Sequence, residues 1–335
     1  MPRSFYVIGS CLLLVLLGRT AVAQDYILDE HGEFVPESTP VEGTDEWVIA
    51  QAAAAIARDD AAEAKRLLNP WIEANKRTDN ALLPRAYLLR GDAKILQHDE
   101  YEALYDYEAV IKQFPGSEEF QPAVVREMDI AQKYLDGMRR KLWGWIRVEP
   151  ARQLGEELMI RAQERLPGSR VSEDAAIRLA EHYYKTRRLD LAVEMFDIFR
   201  TNYPDSDYAK QALLGQIYAN VAQFKGPAYD ASNLVEAELL LDRYVQQYPA
   251  DALKSGIAEG LGSRIDESRA QQMLESARWY RGRGDDASAK FVFKRLLRRH
   301  PSTSAAQTAL RTMQELGWID EAEPAGATAQ PGADQ

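Results

Sequence analysis

The chain has 335 residues, of which 46% are hydrophobic and 28% are charged, and its formal net charge is −11. A protein this acidic repels phosphate backbones, so a nucleic acid is excluded as its main partner. The composition is rich in alanine, leucine, glutamate and arginine, which favours helices because these side chains lose little entropy there. The only cysteine is Cys11, so no disulfide framework is expected.

The first residues have the pattern of an export signal. Arg3 provides a basic start, an uncharged apolar run extends from Val7 to Leu17, and small residues at 21–23 precede Gln24. The sequence therefore predicts a signal peptide over residues 1–23, with an uncleaved anchor as the alternative. Cys11 lies inside the apolar run and not after it, which favours loss with the signal peptide over attachment of a lipid; both outcomes stay open.

The rest of the chain divides by composition into three parts. Residues 24–44 are polar and contain Pro36 and Pro40, so they are expected to be an extended lead-in. Residues 45–318 have the apolar spacing of helices, and Asp45 is a candidate N-cap for the first of them. Residues 319–335 have almost no large apolar side chain and are expected to be a disordered tail.

Three segments of the helical part share one register. Counted from Pro84, Glu173 and Ala270, a small residue stands at position 8, alanine at 20, an aromatic residue at 24 and proline at 32, which is the pattern of the tetratricopeptide repeat. One helix pair of this kind cannot bury its apolar stripe without neighbours. The sequence therefore predicts an all-α, right-handed superhelix (solenoid) of five to six tetratricopeptide-like helix pairs. The matching residues are Gly91, Ala103, Tyr107 and Pro115; Ala180, Ala192, Phe196 and Pro204; and Ala277, Ala289, Phe293 and Pro301.

Candidate protein-binding residues fall on three surfaces. The first helix of each pair is expected to line the concave face, an insertion at 137–150 combines cations with tryptophans, and the last long helix carries a basic face. For the insertion, the preferred interpretation is that its tryptophans fill a junction between repeats, and a partner or membrane contact is the alternative. The basic face fits an acidic partner or complements the helix dipole. The candidates are Tyr87, Leu88, Asp92, Ile177, Glu181 and Tyr184; Arg139, Arg140, Trp143 and Trp145; and Lys294 and Arg298.

No motif for catalysis or cofactor binding is recognised. The four histidines, at 31, 98, 182 and 300, lie in different units, and none has a second ligand at metal spacing. No set of nucleophile, base and oxyanion donors can be assembled from the sequence. We therefore expect a protein that is not an enzyme and that needs no metal or cofactor.

The helix pairs end on a recurring motif, an aromatic residue or histidine followed by proline: FPGS, YPDS, YPAD and HPST. With the export signal, this pattern resembles the BamD (YfiO/ComL) family of outer-membrane assembly components, over about residues 84–317 and most strongly over 173–303. The misplaced Cys11 departs from the lipoprotein signal usual in that family.

The resemblance implies a non-enzymatic scaffold of the periplasm or cell envelope, for which association with the outer membrane is one option. Peripheral contact with the membrane is an expectation from the tryptophans and cations of the insertion. Its partners would be the periplasmic domains of the outer-membrane insertase and unfolded β-barrel proteins. Two alternatives remain open. One is a periplasmic repeat adaptor of the Tol–Pal or cell-division type, and the other is an accessory subunit of an envelope enzyme.

Overall fold

The computed structural model describes residues 26–28, 34–36, 40–142 and 146–319. The predicted signal peptide with Cys11, and residues 320–335 of the predicted tail, lie outside this part of the chain. Two short antiparallel hairpins occur within it, β1 (Tyr26–Leu28) with β2 (Phe34–Pro36) and β3 (Arg139–Leu142) with β4 (Ile146–Pro150). The helices are α1 (Asp45–Ala57), α2 (Ala61–Asn75), α3 (Leu83–Leu96), α4 (Glu100–Gln113), α5 (Phe120–Leu135), α6 (Arg152–Arg165), α7 (Arg170–Lys185), α8 (Leu189–Asn202), α9 (Ala209–Gln223), α10 (Ser232–Gln247), α11 (Pro249–Ser255), α12 (Ile257–Gly282), α13 (Asp286–Arg299) and α14 (Ser304–Glu315).

The helices stack as a solenoid of pairs. Within the described residues six pairs pack side by side: α1 with α2, α3 with α4, α5 with α6, α7 with α8, α9 with α10, and α12 with α13. The first helices also contact one another from α1 through α3, α5 and α7 to α9, so they form the inner layer. Helix α14 covers the last pair by packing on α12 and α13. The prediction of an all-α solenoid of helix pairs is confirmed.

The small residues of the repeat allow the paired helices to approach each other. Ala180 and Ala192 are fully buried between α7 and α8, beside Phe196 and Phe199. In the α3–α4 pair the equivalent position is Gly91, where a Cβ atom would lie 2.8 Å from Cζ of Tyr107 and closer still to its Cε1. The pattern of small and aromatic positions therefore has a packing cause.

The turns inside five pairs share one left-handed geometry. The second residue after the first helix has a positive φ: Asp59, His98, Gly137, Arg187 and Gly284. In each turn the next amide N–H bonds to a carbonyl five residues back, as Arg188 does to Tyr183 at 2.9 Å. This conformation is easy for glycine and strained for other residues.

Replacing Arg187 with glycine is expected to stabilise the protein by about 1 kcal/mol, since the Cβ strain at its φ of 62° is removed. The side chain is exposed, so little else is lost. Chemical denaturation followed by circular dichroism measures the change. Arg187→Ala is the control because it removes the guanidinium and keeps the Cβ atom. An equal gain for alanine and glycine would contradict the backbone explanation.

The N-terminal pair differs from the sequence prediction in its N-cap. The N-cap of α1 is Thr44, whose Oγ1 accepts a hydrogen bond from the Trp47 amide at 3.3 Å. Asp45 is instead the first helical residue, and its carboxylate accepts bonds from Trp71 Nε1 at 2.7 Å and Asn80 Nδ2 at 2.8 Å. Helix α2 contains Pro70 and runs without a break from Ala61 to Asn75. Tertiary hydrogen bonds of Asp45, invisible in the local sequence, explain the shifted cap.

The insertions contain structure that the sequence did not predict. Residues 137–150 were expected to be a junction, but β3 and β4 pair as an antiparallel hairpin with a register shift between Arg140 and Lys141. The predicted lead-in likewise contains the β1–β2 pairing. Helix α12 begins at Ile257, well before the repeat expected from Ala270, and follows the short α11 across Gly256, whose φ is 62°. Ile319, assigned to the tail, packs on the α12–α14 core.

Candidate protein-binding surfaces

A groove runs along the inner layer formed by α3, α5 and α7. Its larger part has a cavity volume of about 530 Å³ and includes the exposed Leu96. A smaller recess of about 240 Å³ continues it, and both parts share Gln132 and Arg178. One end of this groove is apolar, whereas its floor carries both signs of charge. The charged side chains around the two parts are Asp92, Arg126, Asp129, Lys133, Asp136, Arg178, Glu181 and Lys185.

Three of the residues predicted for the concave face lie in the core. Tyr87, Leu88 and Ile177 have exposed fractions of 9%, 4% and 4%. They face neighbouring helices of the stack, and Tyr87 packs at a ring-centroid distance of 6.4 Å from Phe114. The prediction that these side chains contact a ligand is corrected, because they are buried and have almost no solvent-exposed surface.

The other three predicted residues lie at or beside the groove, and their polar atoms are already engaged. Asp92 Oδ1 accepts hydrogen bonds from Tyr107 Oη and from Arg126 Nε, both at 2.8 Å. Glu181 accepts one from Gln211 Nε2 and one from Lys185 Nζ. Tyr184 is half-buried against the core. Asp92 and Glu181 therefore shape the groove through their own network, and their contact with a ligand stays a proposal.

The sequence interpretation missed the cations of the groove. Its candidates for the concave face are aliphatic, aromatic or acidic residues, but Lys133 and Arg178 also line the cavity, and neither makes an ion pair within the described residues. They stand at the same flank of successive first helices, a signal that alignment of the repeats could have revealed. The charge of the groove is therefore mixed and not acidic.

His182 is buried at the bottom of the smaller recess. Its exposed fraction is 7%, and its Nε2 lies 3.8 Å from Glu156 Oε1. Burial lowers the pKa of His182, which the nearby Glu156 carboxylate opposes. The side chain lines the repeat, and among the described residues no nucleophile stands within hydrogen-bonding reach of it.

Most cations of the 139–150 hairpin hold it to the protein. Lys141 Nζ lies 2.5 Å from Asp99 Oδ1, and Arg147 lies 2.7 Å from Glu100 Oε2, a carboxylate that is almost fully buried. Arg140 is 2.8 Å from Glu149 Oε2, and its guanidinium stacks 3.9 Å from the ring centre of Tyr101. Arg140 is therefore an anchor of the hairpin on α4, and its contact with a partner stays a proposal.

The remaining candidates of the hairpin are Arg139, Trp143 and Trp145. Arg139 is exposed, and its weak bond to the Val148 carbonyl, at 3.5 Å, leaves most of its guanidinium facing solvent. Trp143 and Trp145 lie outside the described residues. A contact between these residues and a partner or membrane stays a proposal.

Helix α13 carries the other basic surface, named here the α13 face. It comprises Lys290, Lys294, Arg295, Arg298 and Arg299, and none of these cations has an ion pair within residues 40–142 and 146–319. The ion pairs nearby use Arg269, Arg278 and His300 instead. Lys294 and Arg298 are exposed, as the prediction requires.

The two flanks of α13 face different neighbours. Arg295 and Arg299 border a cavity of about 500 Å³ between α10, α12 and α13, with Val235, Met273 and Val292 on its walls. Since successive helical residues are 100° apart, Lys290 and Lys294 lie on the opposite flank, toward α14. Phe291, with an exposed fraction of 60%, stands at the crest. The sequence identified the cations, but the apolar walls contributed by α10 and α12 were missed.

Among the described helices, none is both long enough and apolar enough to be a membrane span.

The chain is similar to several known proteins. The family model described as YfiO, outer membrane lipoprotein, matches residues 155–322, which is half of the chain. The outer membrane protein assembly factor BamD of Pasteurella multocida is 27% identical over 125 residues, and the match covers 36% of this chain and 45% of that protein. The chain therefore spans less than half the length of this curated relative.

Two solved structures have a similar arrangement, each with a TM-score below 0.5. The C-terminal part of a TPR repeat-containing protein from Cytophaga hutchinsonii has a TM-score of 0.41 at 13% identity, covering 80% of this chain and 88% of that one. The type IV pilus biogenesis factor PilW has a TM-score of 0.30 at 14% identity, covering 81% and 100%. With helix pairs ending at aromatic-proline motifs and a family match from α6 to the end of the repeats, the chain belongs to the YfiO family of outer membrane lipoproteins.

Proposed function

We propose that this protein is a non-enzymatic scaffold of the cell envelope that binds partner proteins during the assembly of outer-membrane β-barrel proteins. Two findings support this function: the chain belongs to the YfiO family, and its Pasteurella relative is an outer membrane protein assembly factor. The predicted signal peptide supports export. The proposed partners are the periplasmic domains of the outer-membrane insertase and, in the groove, unfolded β-barrel proteins.

The observation that carries the proposal is the α13 face. The chain has a net charge of −11, yet five cations are concentrated on one helix of the family-matched half and make no ion pair within the described residues; the only acid on that helix is Asp286, in its first turn. Unpaired cations beside the exposed Phe291 combine a charged rim with an apolar anchor, which is the usual composition of a protein-binding surface. An acidic surface on a folded partner domain is the complement that this face would bind.

The inner groove supports a second role of the same scaffold. Its apolar end, lined by Ile56, Ile95 and Leu96, leads to the cations Lys133 and Arg178. A groove of this length on a helical repeat suits an extended segment whose apolar side chains and carboxylates alternate. Arg139, at the open end of the hairpin, together with Trp143 and Trp145, which follow β3 in sequence, would provide a further contact with a partner or with the membrane surface.

Reversing two charges on the α13 face is expected to weaken binding to the periplasmic domains of the insertase by about tenfold or more, since facing like charges cost several kcal/mol. The variant is Lys294→Glu with Arg298→Glu, and binding is measured by calorimetry with the purified domains. Both side chains are exposed, so folding should be unchanged.

The control pair is Lys225→Glu with Lys254→Glu, two exposed lysines of the same half that make no ion pair within the described residues. It changes the net charge by the same amount. Equal weakening by both pairs would show a general charge effect, and no weakening by the α13 pair would show that this face is not the docking surface. Either result contradicts the proposal.

A further inference from the structure

The flank of α13 that carries Lys290 and Lys294 lies beside the point where the described chain stops. After α14 the chain turns through Gly317, whose φ is 64°, and the Trp318 amide bonds to the Met313 carbonyl at 2.9 Å. Trp318 then packs on Phe293 of α13 at a ring-centroid distance of 6.2 Å. Ile319 joins the same cluster, so residue 320 starts next to α13.

Phe293 is fully buried, and both lysines of this flank are close to it along the helix. Lys290 precedes it by three residues and Lys294 follows it by one, and Arg298 continues the row at i+4 from Lys294. The ring of Trp318 therefore places the following residues beside the first two cations of the row. Helix α13 is 14 residues long, or roughly 21 Å at the usual rise per residue. Residues 320–335 can span roughly 50 Å when extended, so the whole row is within reach.

The segment that follows has the opposite charge. Asp320, Glu321 and Glu323 place three carboxylates in its first four residues, Asp334 adds a fourth, and residues 320–335 contain no lysine or arginine. The first three of these acids therefore follow directly in sequence on Ile319, the last described residue. The negative charge of residues 320–335, their start beside α13 and their length all favour this segment as the ligand of the flank.

We propose that residues 320–335 lie along Lys290, Lys294 and Arg298 and act as a built-in competitor for the acidic partner of the α13 face. The regulatory part of this proposal rests on the function proposed above; the contact within the chain does not. Exposed ion pairs are individually weak, but a tethered segment meets its site at millimolar effective concentration. The tethered segment is therefore expected to dissociate quickly, to bind less at high salt, and to be displaced by a partner that presents more carboxylates at once.

The test uses a fluorescent synthetic peptide with the sequence of residues 320–335, added to the full chain at low salt. Wild type is expected to bind it weakly, because its own segment occupies the row. The variant Asp320→Asn, Glu321→Gln, Glu323→Gln is expected to bind the peptide at least about fivefold more tightly by fluorescence anisotropy. Adding Lys294→Glu and Arg298→Glu to that variant is expected to abolish the gain, and so is salt of about 0.5 M, at which charges are screened within a few ångströms.

The matched control is Glu118→Gln, Glu194→Gln, Asp205→Asn, which neutralises three exposed acids away from α13 and changes the net charge equally. It should bind the peptide as wild type does. Equal binding by wild type and the neutralised variant, or a gain that survives charge reversal on α13, would overturn the inference. The assay contains no partner protein, so its outcome is independent of whether the insertase domains bind this face.

Discussion

Replacing Arg165 with methionine is expected to destabilise the protein by about 3 kcal/mol above neutral pH, since it leaves a buried carboxylate without its cation. Arg165 joins α6 to α4 and α5: its guanidinium donates to Glu127 and, at 2.7 Å, to Glu108 Oε1. Glu127 is 1% exposed, so water cannot solvate its carboxylate when the arginine is removed. The three helices therefore depend on one side chain for their charge balance.

The loss should depend strongly on pH, because Glu127 titrates in the neutral range. Burial raises the pKa of Glu127 to about 7, and the charge of Arg165 opposes this rise. A carboxyl group with a raised native pKa binds more protons in the folded state, so its folded form is favoured at low pH and loses stability as the pH rises through about 7. Without Arg165 the pKa rises further. The variant should therefore be near wild-type stability at about pH 5 and far below it at about pH 8.

Urea denaturation at several pH values measures this profile. Arg161→Met is the matched control, because Arg161 also binds Glu108, at 3.1 Å, but its side chain is 39% exposed and the expected cost is below about 1 kcal/mol. Adding Glu127→Gln to Arg165→Met should restore much of the stability at alkaline pH. A loss that is equal at all pH values would show that packing and not the charge of Glu127 causes it.

The sequence could predict the pairing of helices because the information is local. Small residues such as Ala180 and Ala192 recur at fixed spacing from aromatic residues, and prolines stop the second helices. Each of these features acts within one pair, so a single repeat contains it. The conformation of the turn between two paired helices is also determined locally: Gly284, for example, has the positive φ that its turn requires.

Whether a candidate residue is exposed depends on contacts between neighbouring repeats, and the spacing of residues within one repeat does not determine these contacts. Leu88 and Ile177 lie at the expected helical positions, but neighbouring helices bury them. Asp99 and Glu100, about forty residues upstream, form ion pairs with cations of the hairpin. The sequence of the insertion alone does not contain these partners, so its cations could not be recognised as paired. Lys294 and Arg298, on the outer side of α13, could be assigned to the surface from their local pattern.

The close approach of α3 to α4 at Gly91 gives the last prediction. Gly91→Ala is expected to destabilise the protein by roughly 2 kcal/mol, although alanine is the better helix former by about 1 kcal/mol. The added Cβ would lie 2.8 Å from Cζ of Tyr107, inside the distance that real Cβ atoms keep. The ring cannot move aside, because it is fully buried and its hydroxyl donates to Asp92 at 2.8 Å.

A double-mutant cycle separates this clash from other effects of the substitution. In the Tyr107→Leu background the ring is gone, so Gly91→Ala should stabilise by up to about 1 kcal/mol, which gives a coupling of roughly 3 kcal/mol. Gly260→Ala is the control, since Gly260 is a helical glycine with no atom within 4 Å of its would-be Cβ, and it should only gain stability. Additive free energies of unfolding would disprove the steric cause. Because Tyr107 also holds Asp92, which pairs with Arg126 at the groove, the same clash should transmit from the core to the binding surface.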